Sequence, residues 1–349
     1  MGEVSTIGVD IAKSVFQVHG VDADGAVVIR KRVGRAKVIE FFANLPSCLI
    51  GMEACATAHQ WARELKKLGH DVRLMPPTYV KAYVKRGKND AADAAAICEG
   101  VTRPSMRFVP IKSVEQQSTL MLHRTRDLLI RQRTQLINAL RAHLAELGLV
   151  AAKGHEGLQQ LVMAVTESSD KRLPSNARFA CQSLVAQLYA LQTQINGLDK
   201  RIIQAHRANA DSKRLEAIPG FGVILSTAVV ATMTDPRAFR TGREFAAWIG
   251  LVPRQNSTGG KERLGSISKQ GDRYLRRLFV LGAISIVGTA RTRPDKYPWV
   301  TELLGRRPAK VAAVALANKM ARTAWAVLAK GETYRTPTRS SSAVIAAIA

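Results

Sequence analysis

The sequence predicts an α/β domain followed by two helical regions, and three observations lead there. Residues 1–110 hold short β-prone apolar runs that alternate with turn residues and amphipathic stretches. Between 111 and 207, leucine and isoleucine recur at heptad intervals. From 211 to 335 the chain reads as helices punctuated by glycine. A length of 349 residues exceeds what one compact core usually serves. The expected divisions are 1–110, 111–210 and 211–335, with a weakly ordered tail over 336–349.

In the first division, residues 5–20 alternate as a strand. Asp22-Ala23-Asp24-Gly25 turns the chain, and Ala26–Val33 returns with Val27, Val28 and Ile29. Lys37–Leu45 has helical spacing. Cys48–Met52 reads as a buried strand, His59–Leu68 as a helix ended by Gly69, and Val72–Met75 as another strand. Pro76-Pro77 breaks the pattern. A basic stretch, Lys81–Lys88, leads into an alanine-rich helix that carries Asp90 and Asp93. Hairpin strands first, then alternating strands and helices, is the order of an RNase H-like (RuvC-like) fold.

In the second division, Leu184, Leu188, Leu191, Ile195, Leu198 and Ile202 form a strict coiled-coil seam. Leu122, Leu129, Leu136, Leu140 and Leu147 share one heptad register, interrupted by Arg126, Arg133 and His143. A clean seam beside an interrupted one predicts an antiparallel helical hairpin. It either serves assembly or packs within one monomer. Residues 151–175, with Gly154, Gly157 and Pro174, read as its loop-rich tip. In the third division, Ile218-Pro219-Gly220-Phe221-Gly222-Val223 has the form of a helix-hairpin-helix turn. Gly220 and Gly222 would let backbone N–H groups approach a DNA phosphate.

Fifty-two basic residues against 27 acidic ones give a net charge of +25, which implies a polyanionic partner, nucleic acid before membrane. Residues 1–110 carry +5 (16 basic, 11 acidic), 111–210 carry +6 (13 and 7) and 211–349 carry +14 (23 and 9). The grip on phosphate is therefore expected mainly at the C-terminal end. The longest apolar runs fall short of the roughly 20 residues of a spanning helix. Cys48, Cys55, Cys98 and Cys181 lack CxxC spacing and read as buried free thiols in a reducing cytoplasm.

Four acids carry the chemistry. Asp10 lies in the apolar run Thr6-Ile7-Gly8-Val9-Asp10-Ile11, and Glu53 closes Cys48-Leu49-Ile50-Gly51-Met52-Glu53. Asp90 and Asp93, three apart, project from one helical face. Hard carboxylate oxygens suit Mg²⁺ or Mn²⁺. Two such ions roughly 4 Å apart hold the attacking and leaving oxygens of a phosphodiester. Ordinary roles also exist: Asp90 as a helix N-cap, Asp93 as a first-turn acid, Glu53 as cap of the helix after it. Asp10 fits none of these, since an acid among strand-core residues is costly to bury unpaired.

Residues 248–277 form a second chemically dense stretch, Trp248-Ile249-Gly250-Leu251-Val252-Pro253-Arg254-Gln255-Asn256-Ser257-Thr258-Gly259-Gly260-Lys261-Glu262-Arg263 and onward to Lys269, Arg273, Arg276 and Arg277. A hydroxyl before two glycines and among cations either presents a nucleophile to phosphate or caps a helix beside backbone-binding cations.

Taken with Ile7–Lys13, Met52-Glu53-Ala54, Lys88–Ala94, Ile218–Gly222 and Gly250–Arg254, this stretch resembles the DEDD insertion-sequence transposases, described as bridge-RNA-guided serine recombinases. The resemblance covers essentially residues 5–330. It implies Mg²⁺ (or Mn²⁺) on Asp10, Glu53, Asp90 and Asp93, and Ser257 as a nucleophile forming a transient phosphoserine link to DNA. Thr258 is the alternative hydroxyl if the register differs by one residue. The resemblance further implies donor and target DNA and a structured bridge RNA as partners. Self-assembly as a dimer of dimers, no membrane, and a cytoplasmic, nucleoid-associated location in a prokaryote complete the expectation. Nucleic-acid contacts are expected from Gly220, Gly222, Arg254, Lys261, Arg263, Lys269, Arg273, Arg276 and Arg277. The competing readings are a RuvC-like metal-dependent endonuclease that uses water, and a non-catalytic nucleic-acid-binding protein.

Overall fold

The computed structural model describes residues 3–83, 89–167, 172–256 and 263–335. The chain forms two compact units, residues 1–113 and 114–349.

The first unit is built on a five-stranded mixed sheet of order β3-β2-β1-β4-β5. Its strands are β1 (Thr6–Ile11), β2 (Val15–Val21), β3 (Val27–Gly34), β4 (Leu49–Glu53) and β5 (Asp71–Met75). β1, β2 and β3 form an antiparallel meander, and β4 and β5 continue from β1 in parallel. The single strand expected over residues 5–20 is thus two, reversing at Ala12-Lys13-Ser14. Of the residues that usually mark a turn, it holds only Ser14, a weaker former than Gly, Pro, Asn or Asp. At the other end of β2 the expected turn forms: Asp22 Oδ1 accepts the Asp24 and Ala26 amides at 3.1 and 2.8 Å, and Gly25 has φ +84°.

Helices cover both sides of this sheet. α1 (Val38–Ala43) and α2 (Ala58–Lys67) supply Phe42, Trp61 and Leu65 to a core shared with Ile7, Val9, Phe16, Val18, Ile50 and Met52. α2 buries Ala58, Trp61, Ala62 and Leu65, one face at helical spacing. A short α3 (Pro77–Val80) precedes α4 (Asp90–Val101), which lies on the opposite side. Gly8 and Gly51 are register partners on β1 and β4, and together they form a bare strip beneath α4. A Cβ at Gly8 would stand 2.8 Å from Cys98 Cα, and closer still to Ala94 O and Cys98 N. One at Gly51 would stand 2.8 Å from Val101 Cβ. Only glycine lets the helix backbone approach the strands this closely.

In the second unit, α5 (Val114–Ala145) and α7 (Ser175–Ala208) run antiparallel: Arg126 pairs with Asp199, and Arg133 donates to Gln192 Oε1 at 2.6 Å. The two arginines that interrupt the α5 seam are therefore partners for α7. Leu188, Ile195 and Ile202 of the clean seam are buried, whereas Leu147 lies beyond the end of α5 and is exposed. The loop-rich tip expected over 151–175 contains a helix, α6 (His155–Thr166). Its Leu161 and Val165 pack with Leu140, Leu144, Cys181 and Val185. This apolar face outweighs the glycine at 157.

No division between compact units falls near 210. α5 and α7 both pack on α9 (Val223–Thr232), and His123 of α5 is buried between Thr227 and Tyr274. α8 (Ala210–Glu216), α10 (Gly242–Ile249), α11 (Arg273–Thr292), α12 (Pro298–Arg306) and α13 (Ala309–Lys330) enclose a core that includes Phe221, Phe245, Leu275 and Phe279. A two-stranded sheet, β6 (Pro253–Gln255) with β7 (Leu264–Ile267), lies between α10 and α11 in sequence. No described helix is long and apolar enough to cross a membrane. The four cysteines are free, three of them buried and Cys55 partly so.

Candidate active site

The bare strip positions the acids. Gly8 faces α4, so alternation along β1 turns Asp10 to the same side. Gly51 and Glu53 repeat that relation on β4, whose parallel register with β1 runs Gly8 to Gly51 and Val9 to Met52. Asp10 and Glu53 therefore stand at the carboxyl ends of neighbouring strands, on the face that α4 covers. Asp93 adjoins Ala94, the residue seated over Gly8, and Asp90 is one turn earlier. The sequence carries a sign of this arrangement in the repeated pattern of glycine, one residue, then acid.

Asp90 and Asp93 both lie in the first turn of α4, where an acid is ordinary, but neither Asp90 nor Glu53 is a helix cap. Asn89, not Asp90, is the N-cap of α4: its Oδ1 accepts the Ala92 amide at 2.7 Å. The N-cap of α2 is Thr57, four residues past Glu53, with φ +74° and no side-chain cap. Asp10 feels all three other carboxylates. Burial first, then Asp93, Asp90 and Glu53, raise its pKa to about 6, against one opposing hydrogen bond from the Ile11 backbone. The thiol of Cys55 is likewise raised, by burial and then by Glu53. Among the described residues no three acidic, cysteine or histidine side chains are drawn in closely enough to ligate one ion. The donor set nonetheless fits a divalent cation: four carboxylates with hard oxygens share one field, and among the described residues no basic group offsets it at Asp10.

In the second unit, β6 and β7 are antiparallel, and the Asn256 amide donates to Arg263 O at 2.8 Å. Ser257, Thr258, Gly259, Gly260 and Lys261 lie outside the described residues. Arg254, Arg263, Lys269 and Arg273 are exposed. Three of the predicted nucleic-acid contacts have internal partners, Arg254 donating to Ser268 O at 3.3 Å. Arg276 donates to Ile249 O and Gln270 O at 2.8 and 2.6 Å, and Arg277 pairs with Asp127. Gly220, with φ +87°, faces inward: a Cβ there would stand 2.8 Å from Met320 Cε and 2.9 Å from Gly282 O. Gly222 caps α9 and faces open space.

Residues 7–148 match the transposase family of the DEDD, IS110 type, and residues 212–297 match the family described as Transposase IS116/IS110/IS902. A probable family 20 transposase of Pseudomonas aeruginosa is 50% identical over 335 residues, covering 95% of this chain and 99% of the relative. The chain belongs to the IS110 family of insertion-sequence transposases. The transposase for insertion sequence element IS1111A of Coxiella burnetii is 39% identical, covering 96% of this chain and 92% of its own. A putative transposase of Sinorhizobium fredii, y4pF/y4sB, is 46% identical, covering 95% and 86%.

An IS110-family transposase is a DNA-cleaving and rejoining enzyme, and its DEDD domain has an RNase H-like α/β fold. The first family match contains Asp10, Glu53, Asp90 and Asp93, and the second contains the segment around Ser257. Sequence reasoning passed over the side chains that border the acids on the α4 face. Gln17 opposes Asp10 and His19 opposes Gly8 across β1 and β2, and Arg30 of β3 opposes His19. Two polar residues alternating with Phe16 and Val18 in a strand were the available sign.

Proposed function

We propose that this transposase cuts and rejoins its element's DNA with Mg²⁺ or Mn²⁺ held by Asp10, Glu53, Asp90 and Asp93, and with Ser257 as the nucleophile. The observation that carries the metal assignment is the field at Asp10, where burial and three carboxylates act on one group. When bound, such ions polarise the phosphodiester and lower the pKa of the attacking hydroxyl. Exposed Arg254 and Arg263, which flank residues 257–262 in sequence, support a phosphate grip around the serine. A serine alcohol conserves the bond energy in a phosphoester, so strands rejoin without ATP.

The finer reading includes a structured bridge RNA that pairs with donor and target DNA, for which the +25 charge is the support. It also includes assembly as a dimer of dimers. Val114, Met121 and Leu128, exposed at seven-residue intervals on α5, support that part. A coiled-coil role for α5 and α7 and a helix-hairpin-helix contact at Gly222 belong to the same proposal.

Denaturing gels test the serine step. Wild-type protein should give a covalent protein–DNA species in Mg²⁺, and Ser257→Ala should give none. Full cleavage by Ser257→Ala, with no adduct in the wild type, sinks the serine mechanism in favour of attack by water.

A further inference from the structure

The α4-facing side of the sheet has a cleft of about 250 Å³ beside the acids, lined by Gln17, His19, Arg30, Ala91, Ala92 and Ala95. Its floor follows from the register. One row across the strands reads Gly8, His19, Arg30, and the next reads Asp10, Gln17, Arg32. Its wall is the first turns of α4, where alanines leave room that longer side chains would fill.

His19 is 9% exposed, yet among the described residues neither ring nitrogen has a hydrogen-bond partner. Neither ring nitrogen is sealed from solvent, so a ligand in the cleft can take the hydrogen bonds that water otherwise makes there. Burial, then Arg30, lower its pKa, which favours the neutral ring with one donor and one acceptor. Arg30 is exposed and makes no ion pair among the described residues. The cleft thus combines a free cation, a neutral donor–acceptor ring and the Gln17 amide, next to carboxylates that serve phosphodiester chemistry.

We propose that this cleft is a nucleotide subsite, which takes the sugar and phosphate adjoining the scissile linkage. Arg30 holds the phosphate, and His19 and Gln17 hydrogen-bond the deoxyribose oxygens. The inference rests on the reading of the four acids as the metal-binding centre.

Isothermal titration of the full-length protein with thymidine 3′,5′-bisphosphate, with and without calcium, tests it. Arg30→Ala should weaken binding about tenfold, the loss expected of one charge-assisted phosphate contact. Ala91→Leu, at an exposed helical position, should weaken it as much by filling the cleft without removing charge. His19→Gln should weaken it severalfold, and if that variant does not fold, Arg30→Ala and Ala91→Leu carry the test. Lys31→Ala is the control, because Lys31 lies over the Phe41 ring on the other face of β3. It should bind as the wild type does. Equal weakening by Lys31→Ala and Arg30→Ala overturns the proposal, as does wild-type affinity in both Arg30→Ala and Ala91→Leu. Asp10→Asn separates the two levels. If it keeps calcium-dependent binding, the acid-centre reading fails, and the subsite then stands or falls on Arg30→Ala and Ala91→Leu alone.

Discussion

Adding one methyl group at Gly8 should disable the active site without touching an acid. In Gly8→Ala the new Cβ would stand 2.8 Å from Cys98 Cα and closer to Ala94 O and Cys98 N. Carbon pairs settle at about 3.5–4.0 Å, so α4 must lift by about 1 Å. The obstructing atoms are backbone, which no side-chain rotation relieves. Overpacking of this kind costs about 1–3 kcal/mol, and the upper end applies here. For a unit of this size that is a fall in Tm on the order of 10 °C. The lift also carries Asp90 and Asp93 away from Asp10 and Glu53, and a displacement of about 1 Å at reacting groups costs on the order of 100-fold in rate. Gly34→Ala is the control, because its backbone (φ −62°, ψ 141°) suits any residue and nothing lies within 4 Å. Thermal melts and strand cleavage on element-end DNA measure both effects. Wild-type Tm and cleavage in Gly8→Ala would refute the seating of α4 on the strip.

Asp10→Asn should abolish metal-dependent cleavage while DNA binding persists. The same change should stabilise the metal-free protein above pH 6. A folded pKa of about 6, against 3.8 for the free group, means that wild-type stability falls as pH rises through that interval. After discounting for solvent screening the gain is about 1 kcal/mol, and it vanishes below pH 4; a gain that is equal at pH 4 and pH 8 would contradict the assignment. Buried His123, held at about 4 chiefly by burial, works in the opposite sense: stability is lost as pH falls from 6.5 through 4, by up to about 3 kcal/mol. Urea titrations of wild type and His123→Gln across that range should differ in slope, and parallel curves would rule this out. Arg273→Ala should reduce the log–log salt slope of DNA binding by about 0.9. Arg276→Ala should chiefly lower Tm, since its guanidinium holds two carbonyls; the reverse pattern would show that the internal contacts do not persist in solution.

What could be read in advance depended on whether the cause was local. Asp10 stood out because a carboxylate in an apolar strand is costly wherever the chain goes next. The pairing of Gly8 with Gly51 is a long-range fact, set by strands about forty residues apart, and no local propensity encodes it. The β1–β2 turn is hard to read because Ala12-Lys13-Ser14 offers only Ser14, a weak turn former, and no Gly, Pro, Asn or Asp. α6 was missed because two glycines hid an apolar face that has meaning only against α5 and α7. The interruptions at Arg126 and Arg133 were visible, but their partners Asp199 and Gln192 lie on another helix. Ser257 was singled out from its neighbours and its resemblance, and it falls outside the described residues.

His123 sits near the start of a 32-residue helix. Its Nε2 meets Thr227 Oγ1 at 3.0 Å, and its Nδ1 meets Tyr274 Oη at 2.9 Å. Because the Thr227 hydroxyl donates to Val223 O at 2.7 Å, the imidazole N–H points to Thr227 and the Tyr274 hydroxyl donates to the ring. α5 is thereby pinned at its base, with about 30 Å of helix beyond the pin. The antiparallel pair then behaves as a lever: a tilt of about 5° at the fulcrum swings the far end by roughly 3 Å. A load applied to that far end is felt, geared down, at the turn where α11 begins.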